Sequence, residues 1–151
     1  MFRALALLAA VLLISAQTSP SRPNLQVGQV WSIKSDTPNS ARVIVGRIEP
    51  FNGRVAVSVS IVDVPVPGSA SGGVMAISHM PFDQDALEAS LDQLLADGAS
   101  PDPNFEAGYQ QWRSAHGGIF TISVQQAIEI ALGMLPPNAR PPAASAAPGP
   151  T

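Results

Sequence analysis

Hydrophobic and polar residues alternate along the first half of the chain in a pattern that predicts β-strands. The clearest case is residues 54–64, where valine or isoleucine at the odd positions 55–61 alternates with Ala56, Ser58 and Ser60. Because successive side chains of a strand point to opposite faces of a sheet, we expect one face in the core and a wetter face opposite it. Further β-branched or alternating runs predict strands at 28–34, 42–49 and 74–79.

The dipeptide Asn52-Gly53 separates the second and third of these runs. Both residue types tolerate positive φ, which the tightest two-residue hairpin turns require. The two strands on either side are therefore predicted to pair antiparallel.

The second half of the chain changes to a helical spacing of hydrophobic residues. Asp83 is expected to cap a helix that runs to about residue 97, with leucines at 87, 91, 94 and 95 on one face and Gly98 at its end. Asp102-Pro103 predicts the start of a second helix. Its hydrophobic positions Phe105, Tyr109 and Trp112 share one face, and the glycine pair at 117–118 stops it.

A short strand is predicted at 119–122, followed by a third helix. Ser123 and Gln126 have the spacing of a capping box, and this helix is expected to bury Ala127, Ile128, Ala131 and Leu132. Strands first and helices later indicate an α+β fold. We expect a small antiparallel sheet, with closure into a barrel as an alternative, then two helices, a short strand and a C-terminal helix, with the helices packed on one side.

The two ends of the chain differ in composition from this domain. Arg3 precedes an apolar run at 4–14 and small residues at 15–16, which is typical of a cleavable signal peptide over 1–16; an N-terminal core helix is the alternative. Residues 17–26 are expected to be a linker, 27–135 a single α+β domain, and 136–151 a disordered tail rich in proline and alanine. Localisation is therefore predicted to be periplasmic or secreted, and an apolar run this short leaves no stable membrane anchor after cleavage.

Charge and cysteine content restrict the possible partners and chemistry. Removal of residues 1–16 leaves seven Lys or Arg against eleven Asp or Glu, a formal charge of −4. The basic residues are dispersed, so nucleic acid is not expected as a partner. The chain contains no cysteine, which excludes disulfides, thiolate metal ligands and thiol nucleophiles.

Five short segments resemble a series found in small uncharacterised bacterial proteins. They are GQVW at 28–31, RIE at 47–49, HMPF at 79–82, GYQQWR at 108–113 and GGIFTI at 117–122. The similarity covers about residues 27–130 and leaves out the signal peptide and the tail. It supports the boundaries of a single domain and implies no activity.

His79 and His116 are the two histidines of the chain, and each is predicted near the end of an element. With Asp83 they are the weak catalytic candidates for a small hydrolase or a metal-dependent enzyme. In the structural alternative, His79 packs beside Met75 and Ile77 on one side of its strand, His116 is a cation at a helix C-terminus, and Asp83 complements a helix dipole. No HxH or HExxH spacing is present, so neither a metal nor a cofactor is predicted.

Three aromatic residues, Trp31, Tyr109 and Trp112, are candidates for a binding surface, with core packing as the alternative. The sequence thus favours an exported, non-catalytic binding or interaction module that recognises an envelope or secreted protein. Two other functions stay open: a small enzyme centred on His79, and a carrier of a small apolar ligand, which would need an open pocket between sheet and helices.

Overall fold

The computed structural model describes residues 23–36, 39–69 and 72–133. In chain order the elements are β1 Val30–Ile33, β2 Arg42–Phe51, β3 Arg54–Pro65, β4 Val74–Asp83, α1 Gln84–Ser90, β5 Leu91–Ala96, α2 Phe105–Ser114 and α3 Val124–Ala131. The predicted signal peptide and the predicted tail lie outside the described residues. So do the first six residues of the predicted linker, whereas its Leu25 is buried in the core.

The sheet is antiparallel throughout, with strand order β4-β3-β2-β1-β5. This confirms the α+β class. The barrel alternative is wrong, because the sheet is open and β4 and β5 are its two edges. Within the described part of the chain, no helix is long and apolar enough to cross a membrane.

The predicted hairpin between β2 and β3 is present. Phe51 pairs with Arg54, and the two residues between them have positive φ, 47° at Asn52 and 78° at Gly53. Both angles belong to the turn whose twist matches that of paired strands. The hairpin therefore fixes the register of β2 and β3 at their shared end.

One face of the sheet carries the main hydrophobic core. Alternate residues of the central strands are fully buried there, and α1 and α3 cover them with Leu87, Val124 and Ile128. From the sheet this core takes Trp31, Ile33, Val43, Val45, Val57, Val59, Ile61, Val64, Met80, Phe82 and Leu91. We call this the core face.

The opposite face is covered by α2, so the helices are not all on one side as the sequence predicted. Ala56, Ser58 and Ser60 alternate with the core valines of β3 and are also buried, because Phe105 and Tyr109 of α2 lie over this side of the sheet. The wetter face expected for β3 is therefore a second buried face. We call it the α2 face.

The helix predicted from Asp83 to residue 97 ends at Ser90, and Leu91–Ala96 forms β5 instead. The Ser90 hydroxyl donates to the carbonyl of Ala86 and accepts the backbone N–H of Val124, which holds the end of α1 against α3. The residues after Ser90 then form backbone hydrogen bonds with the free edge of β1, where Leu91 pairs with Ile33. Long-range pairing thus overrides the helical leucine spacing, and Leu94 and Leu95 are exposed.

The last part of the domain follows the prediction in outline. Ser123 and Gln126 form the predicted capping box, and Ala127 and Ile128 are buried, but Ala131 is exposed. The predicted strand at 119–122 is reduced to one bridge between Phe120 and Phe82. This parallel bridge holds the segment around Phe120 beside the residues that precede α1.

Candidate binding site

Helix α2 presents its three aromatic side chains to the sheet, as the spacing of Phe105, Tyr109 and Trp112 predicts. Two glycines allow the close approach. A Cβ on Gly46 of β2 would overlap the ring of Phe105, and a Cβ on Gly108 would lie 2.7 Å from the Cβ of His79. The helix therefore rests directly on the backbone of β2 and on the side chain of His79.

His79 lies at the centre of this contact, and its ring touches all three aromatic rings of α2. The ring centroids lie 5.4 Å from Phe105, 5.8 Å from Tyr109 and 5.7 Å from Trp112. Partial burial lowers the pKa of His79 below its usual value of 6.5, although the carboxylates of Glu106 and Glu49 act in the opposite direction. The imidazole is thus held towards its neutral form.

The side of the sheet on which His79 lies differs from the prediction. His79 was expected beside Met75 and Ile77, but the pairing of β3 with β4 shifts register between Val59 and Ile61. Ile77 therefore packs against the core face, while His79 faces α2. An irregularity of this kind reverses the alternation of side chains and leaves no mark in the hydrophobic pattern.

Ser58 and His79 form a hydrogen-bonded pair, with Nε2 of the histidine 3.1 Å from the serine hydroxyl. The distance is within the range of a nucleophile and its general base. Ser58 is only 1% exposed, however, beneath α2. The nearby Ser60 hydroxyl is similarly used inside the fold, because it donates to the carbonyl of Ser78 and accepts the N–H of Asp102. Both hydroxyls thus satisfy buried polar groups.

A chain of charged groups surrounds Tyr109, whose ring is buried. The guanidinium of Arg47 lies 4.1 Å above the ring and pairs with Glu106 at 3.1 Å. At the other end, Arg113 donates to the tyrosine hydroxyl at 2.7 Å, and that hydroxyl lies 3.0 Å from both carboxylate oxygens of Glu49. The Tyr109 contact, followed by the charge of Glu49, raises the pKa of Arg113.

Beyond this network, the outer end of α2 and the tip of the hairpin enclose an open cleft of about 320 Å³. The rings of Phe51 and Trp112 lie 5.6 Å apart on one side of it. The cleft is lined by Glu49, Pro50, Phe51, Asn52, Trp112, Arg113, His116 and Gly117. It therefore combines aromatic surface with a carboxylate, a guanidinium and an imidazole, and we call it the hairpin–α2 cleft.

The indole of Trp112 is fixed in this cleft by the turn that follows α2. Its Nε1 donates to the carbonyl of Gly118 at 2.8 Å. Gly117 lies so close to the indole that a Cβ there would overlap it. His116 has φ of 52° and is exposed at the same turn. The glycine pair thus both stops the helix, as predicted, and seats the tryptophan.

Four of the residues singled out from the sequence come together around α2: His79, Tyr109, Trp112 and His116. The other two, Asp83 and Trp31, lie away from α2 and make their contacts elsewhere. Asp83 pairs with Arg54 at 3.2 Å and makes no side-chain cap bond to α1, and Trp31 is buried in the core with its Nε1 bonded to Gln29.

Sequence reasoning missed Glu49, Phe51 and Arg113. The signals that favour them were present: Phe51 directly precedes the predicted turn, and Arg113 follows Trp112 on the predicted helix. Within the described residues, no group of three or more His, Asp or Glu side chains is placed to hold a metal ion.

Comparison of the chain with protein-family models, with curated proteins and with solved structures gave no match. The resemblance to small bacterial proteins stays a prediction.

Proposed function

We propose that this protein is an exported binding module and that the hairpin–α2 cleft is its ligand site. The observation that carries the proposal is the open cleft in which Phe51 and Trp112 form an aromatic wall beside Arg113 and Glu49. Aromatic surface supplies most of the contact energy in such sites, and a few fixed polar groups orient the ligand.

The polar groups of the cleft are held in place before a ligand arrives. Arg113 and Glu49 are joined through the Tyr109 hydroxyl, and Trp112 is seated by its bond to Gly118. Less side-chain freedom is then lost on binding, which favours affinity. The site is open, and its wall carries a positive charge at Arg113 and a negative charge at Glu49. Such a site suits a polypeptide segment better than a small apolar molecule.

Export is proposed from the first sixteen residues, and it makes an envelope or secreted protein the expected partner. The short apolar run is typical of a cleavable signal peptide. A chain without cysteine has no thiol that could mispair in an oxidising compartment. Sequencing the N-terminus of the native protein tests this part. A terminus close after Ala16 supports export, and a cytosolic protein that begins at Met1 contradicts it.

The ligand site is tested by selecting binders from a random-peptide display library with the full chain. Binding is then measured in a Trp31→Phe background, where Trp112 is the single tryptophan and its emission reports the cleft. Phe51→Ala and His116→Ala should each raise the Kd of the selected peptides about tenfold or more, and tenfold is equivalent to about 1.4 kcal/mol of binding free energy. Leu95→Ala, exposed on β5, is the matched control and should bind normally.

Two results would overturn the assignment. One is a failure of the library to yield any peptide that changes Trp112 emission. The other is a set of binders whose affinity is the same for Phe51→Ala, His116→Ala and Leu95→Ala.

A further inference from the structure

We infer that the hairpin–α2 cleft recognises polypeptide segments that carry an acidic side chain close to an apolar one. The carboxylate of the ligand binds Arg113, with His116 as a second donor. The apolar side chain packs on the aromatic wall formed by Phe51 and Trp112. The inference rests on the proposed function, since it names the class of ligand that the same cleft takes.

The carboxylate of Glu49 is already used inside the protein. The Tyr109 hydroxyl donates to it and lies 3.0 Å from both of its oxygens, and Nη1 of Arg113 lies 3.5 Å from one of them. The side chain of Glu49 is 23% exposed, whereas that of Arg113 is 64% exposed. The cleft therefore offers a partner its guanidinium far more than its carboxylate.

The guanidinium of Arg113 is held through one of its nitrogens. Within the described residues, its hydrogen bonds to Tyr109 and Glu49 both start from Nη1. A guanidinium also carries N–H groups on Nε and Nη2, and this parallel pair matches the two oxygens of a carboxylate. Because the bonds of Nη1 already fix the side chain, little freedom is lost when a carboxylate binds the other edge.

His116 brings a second donor to the same cleft. It has φ of 52° at the end of α2, where glycine is the usual residue because the conformation is left-handed. Its side chain is exposed and lines the cleft with that of Arg113. An imidazole has an N–H to donate in both of its protonation states. The turn after the helix thus adds a donor for a ligand oxygen.

The backbone of this turn favours an acidic side chain over a chain terminus as the source of the carboxylate. Terminal carboxylates are captured by clusters of backbone N–H groups that have no other partner. Here the N–H of His116 donates to the carbonyl of Arg113 at 3.2 Å. The N–H of Gly117 donates to the carbonyl of Trp112 at 2.9 Å. Recognition therefore falls to the two side chains, which suits an acidic residue within a continuing chain.

The apolar part of the ligand is limited in size. The cleft volume of about 320 Å³ is near the lower end of the range for ligand sites, about 300–1,000 Å³. Phe51 and Trp112 are half-buried, so part of each ring is still open to a ligand. The cleft therefore takes one or two side chains of a partner, and a short segment supplies both the apolar group and the acid.

Three peptide display libraries test the carboxylate on the full chain. They differ only in a fixed central residue, Glu, Gln or Lys, and their random positions exclude Asp and Glu. Each peptide is joined to its carrier through its C-terminus, so that a carboxylate comes only from a side chain. The Glu library should yield the tightest binders, and changing the central Glu of such a peptide to Gln should raise its Kd about tenfold or more.

Variants of the protein assign the effect to one side chain. Arg113→Lys keeps the charge but removes the paired N–H groups, so the Kd of the Glu peptide should rise about tenfold. The Gln form of the same peptide should bind the variant and the wild type alike, which also shows that the cleft is still folded. Arg42→Lys is the matched control, because Arg42 pairs with Asp63 at the other end of β2, and it should bind as the wild type does.

An NMR signal reports the contact itself. The Nε–H resonance of Arg113 should shift when the Glu peptide binds and stay in place with the Gln peptide. A purely structural role of Arg113 would leave this resonance the same with both peptides.

Several outcomes would overturn the inference. Equal affinity for the Glu and Gln peptides would show that no carboxylate is recognised, and a preference for the Lys library would assign recognition to Glu49. A synthetic Gln peptide with a free C-terminus that matches the Glu peptide would assign the carboxylate to a chain terminus. In each case the proposed function stands if binding still requires Phe51, and it fails with the inference if none of the libraries yields a binder.

Discussion

The two faces of this sheet are covered in different ways. On the core face, α1 and α3 seal a continuous set of aliphatic and aromatic side chains that are almost fully buried. On the α2 face, one helix covers two serines, a glycine and a histidine, and ion pairs surround its tyrosine. The first face stabilises the fold by dry packing, whereas the second must satisfy buried polar groups and ends in an open cleft.

The difference between the faces can be measured by removing one phenylalanine from each. Phe82 is fully buried on the core face, so Phe82→Ala should reduce the free energy of unfolding by about 3–5 kcal/mol. Phe105→Ala on the α2 face should cost clearly less, because a single helix can settle onto the vacated space. Urea denaturation of both variants gives the comparison, with Phe82→Leu as a milder control. Equal losses would mean that the faces contribute alike.

A glycine of α2 provides the next largest effect. Alanine normally favours a helix over glycine by about 1 kcal/mol. In Gly108→Ala, however, the new Cβ meets the Cβ of His79, and overpacking of this kind costs about 1–3 kcal/mol. This cost opposes the propensity gain, and we expect the variant to be less stable than the wild-type protein. Ala107→Gly, on the exposed side of the same helix, should cost about 1 kcal/mol through propensity alone. A stabilising Gly108→Ala would show that α2 does not lie against His79.

The helix N-termini of the two faces also differ. Ser123 caps α3 with a full capping box, but Asn104 at the start of α2 makes no side-chain cap bond. We expect Ser123→Ala to cost about 1 kcal/mol and Asn104→Ala much less. Thermal unfolding followed by circular dichroism measures both. The reverse order would contradict the cap assignments.

The smallest effect is a pH dependence from His79. Its pKa is lowered in the folded protein, chiefly by burial, so the unfolded chain binds more protons between the folded pKa and 6.5. The free energy of unfolding should therefore rise with pH through this window and fall as the medium is acidified. Subtracting the curve of a His79→Gln variant isolates this contribution. The result would contradict this prediction if the difference in the free energy of unfolding, wild type minus variant, rose as the pH is lowered.

Much of the fold was predictable because local chemistry determined it. The Asn52-Gly53 turn, the aromatic face of α2 and the Ser123–Gln126 box are each specified within a few neighbouring residues. The site could be foreseen in part for the same reason. Tyr109 and Trp112 share a helix face, and the glycines that follow mark its end.

What failed depends on contacts between distant residues. The leucines of 91–96 fit a helix, but pairing with β1 placed them in a strand. The register shift in β4 moved His79 to the α2 face, and Glu49 meets Arg113 only when β2 and α2 pack together. Alternation along β3 predicted two faces but not that a helix covers the polar one.

The central claim is that α2 encloses His79 against the sheet, and an NMR titration of the His79 ring tests it most directly. Side-chain signals of His79 should titrate with a pKa below 6.5 and show contacts to the rings of Phe105 and Trp112. A pKa at or above 6.5, with no ring contacts from α2, would contradict the enclosed histidine and the cleft built upon it.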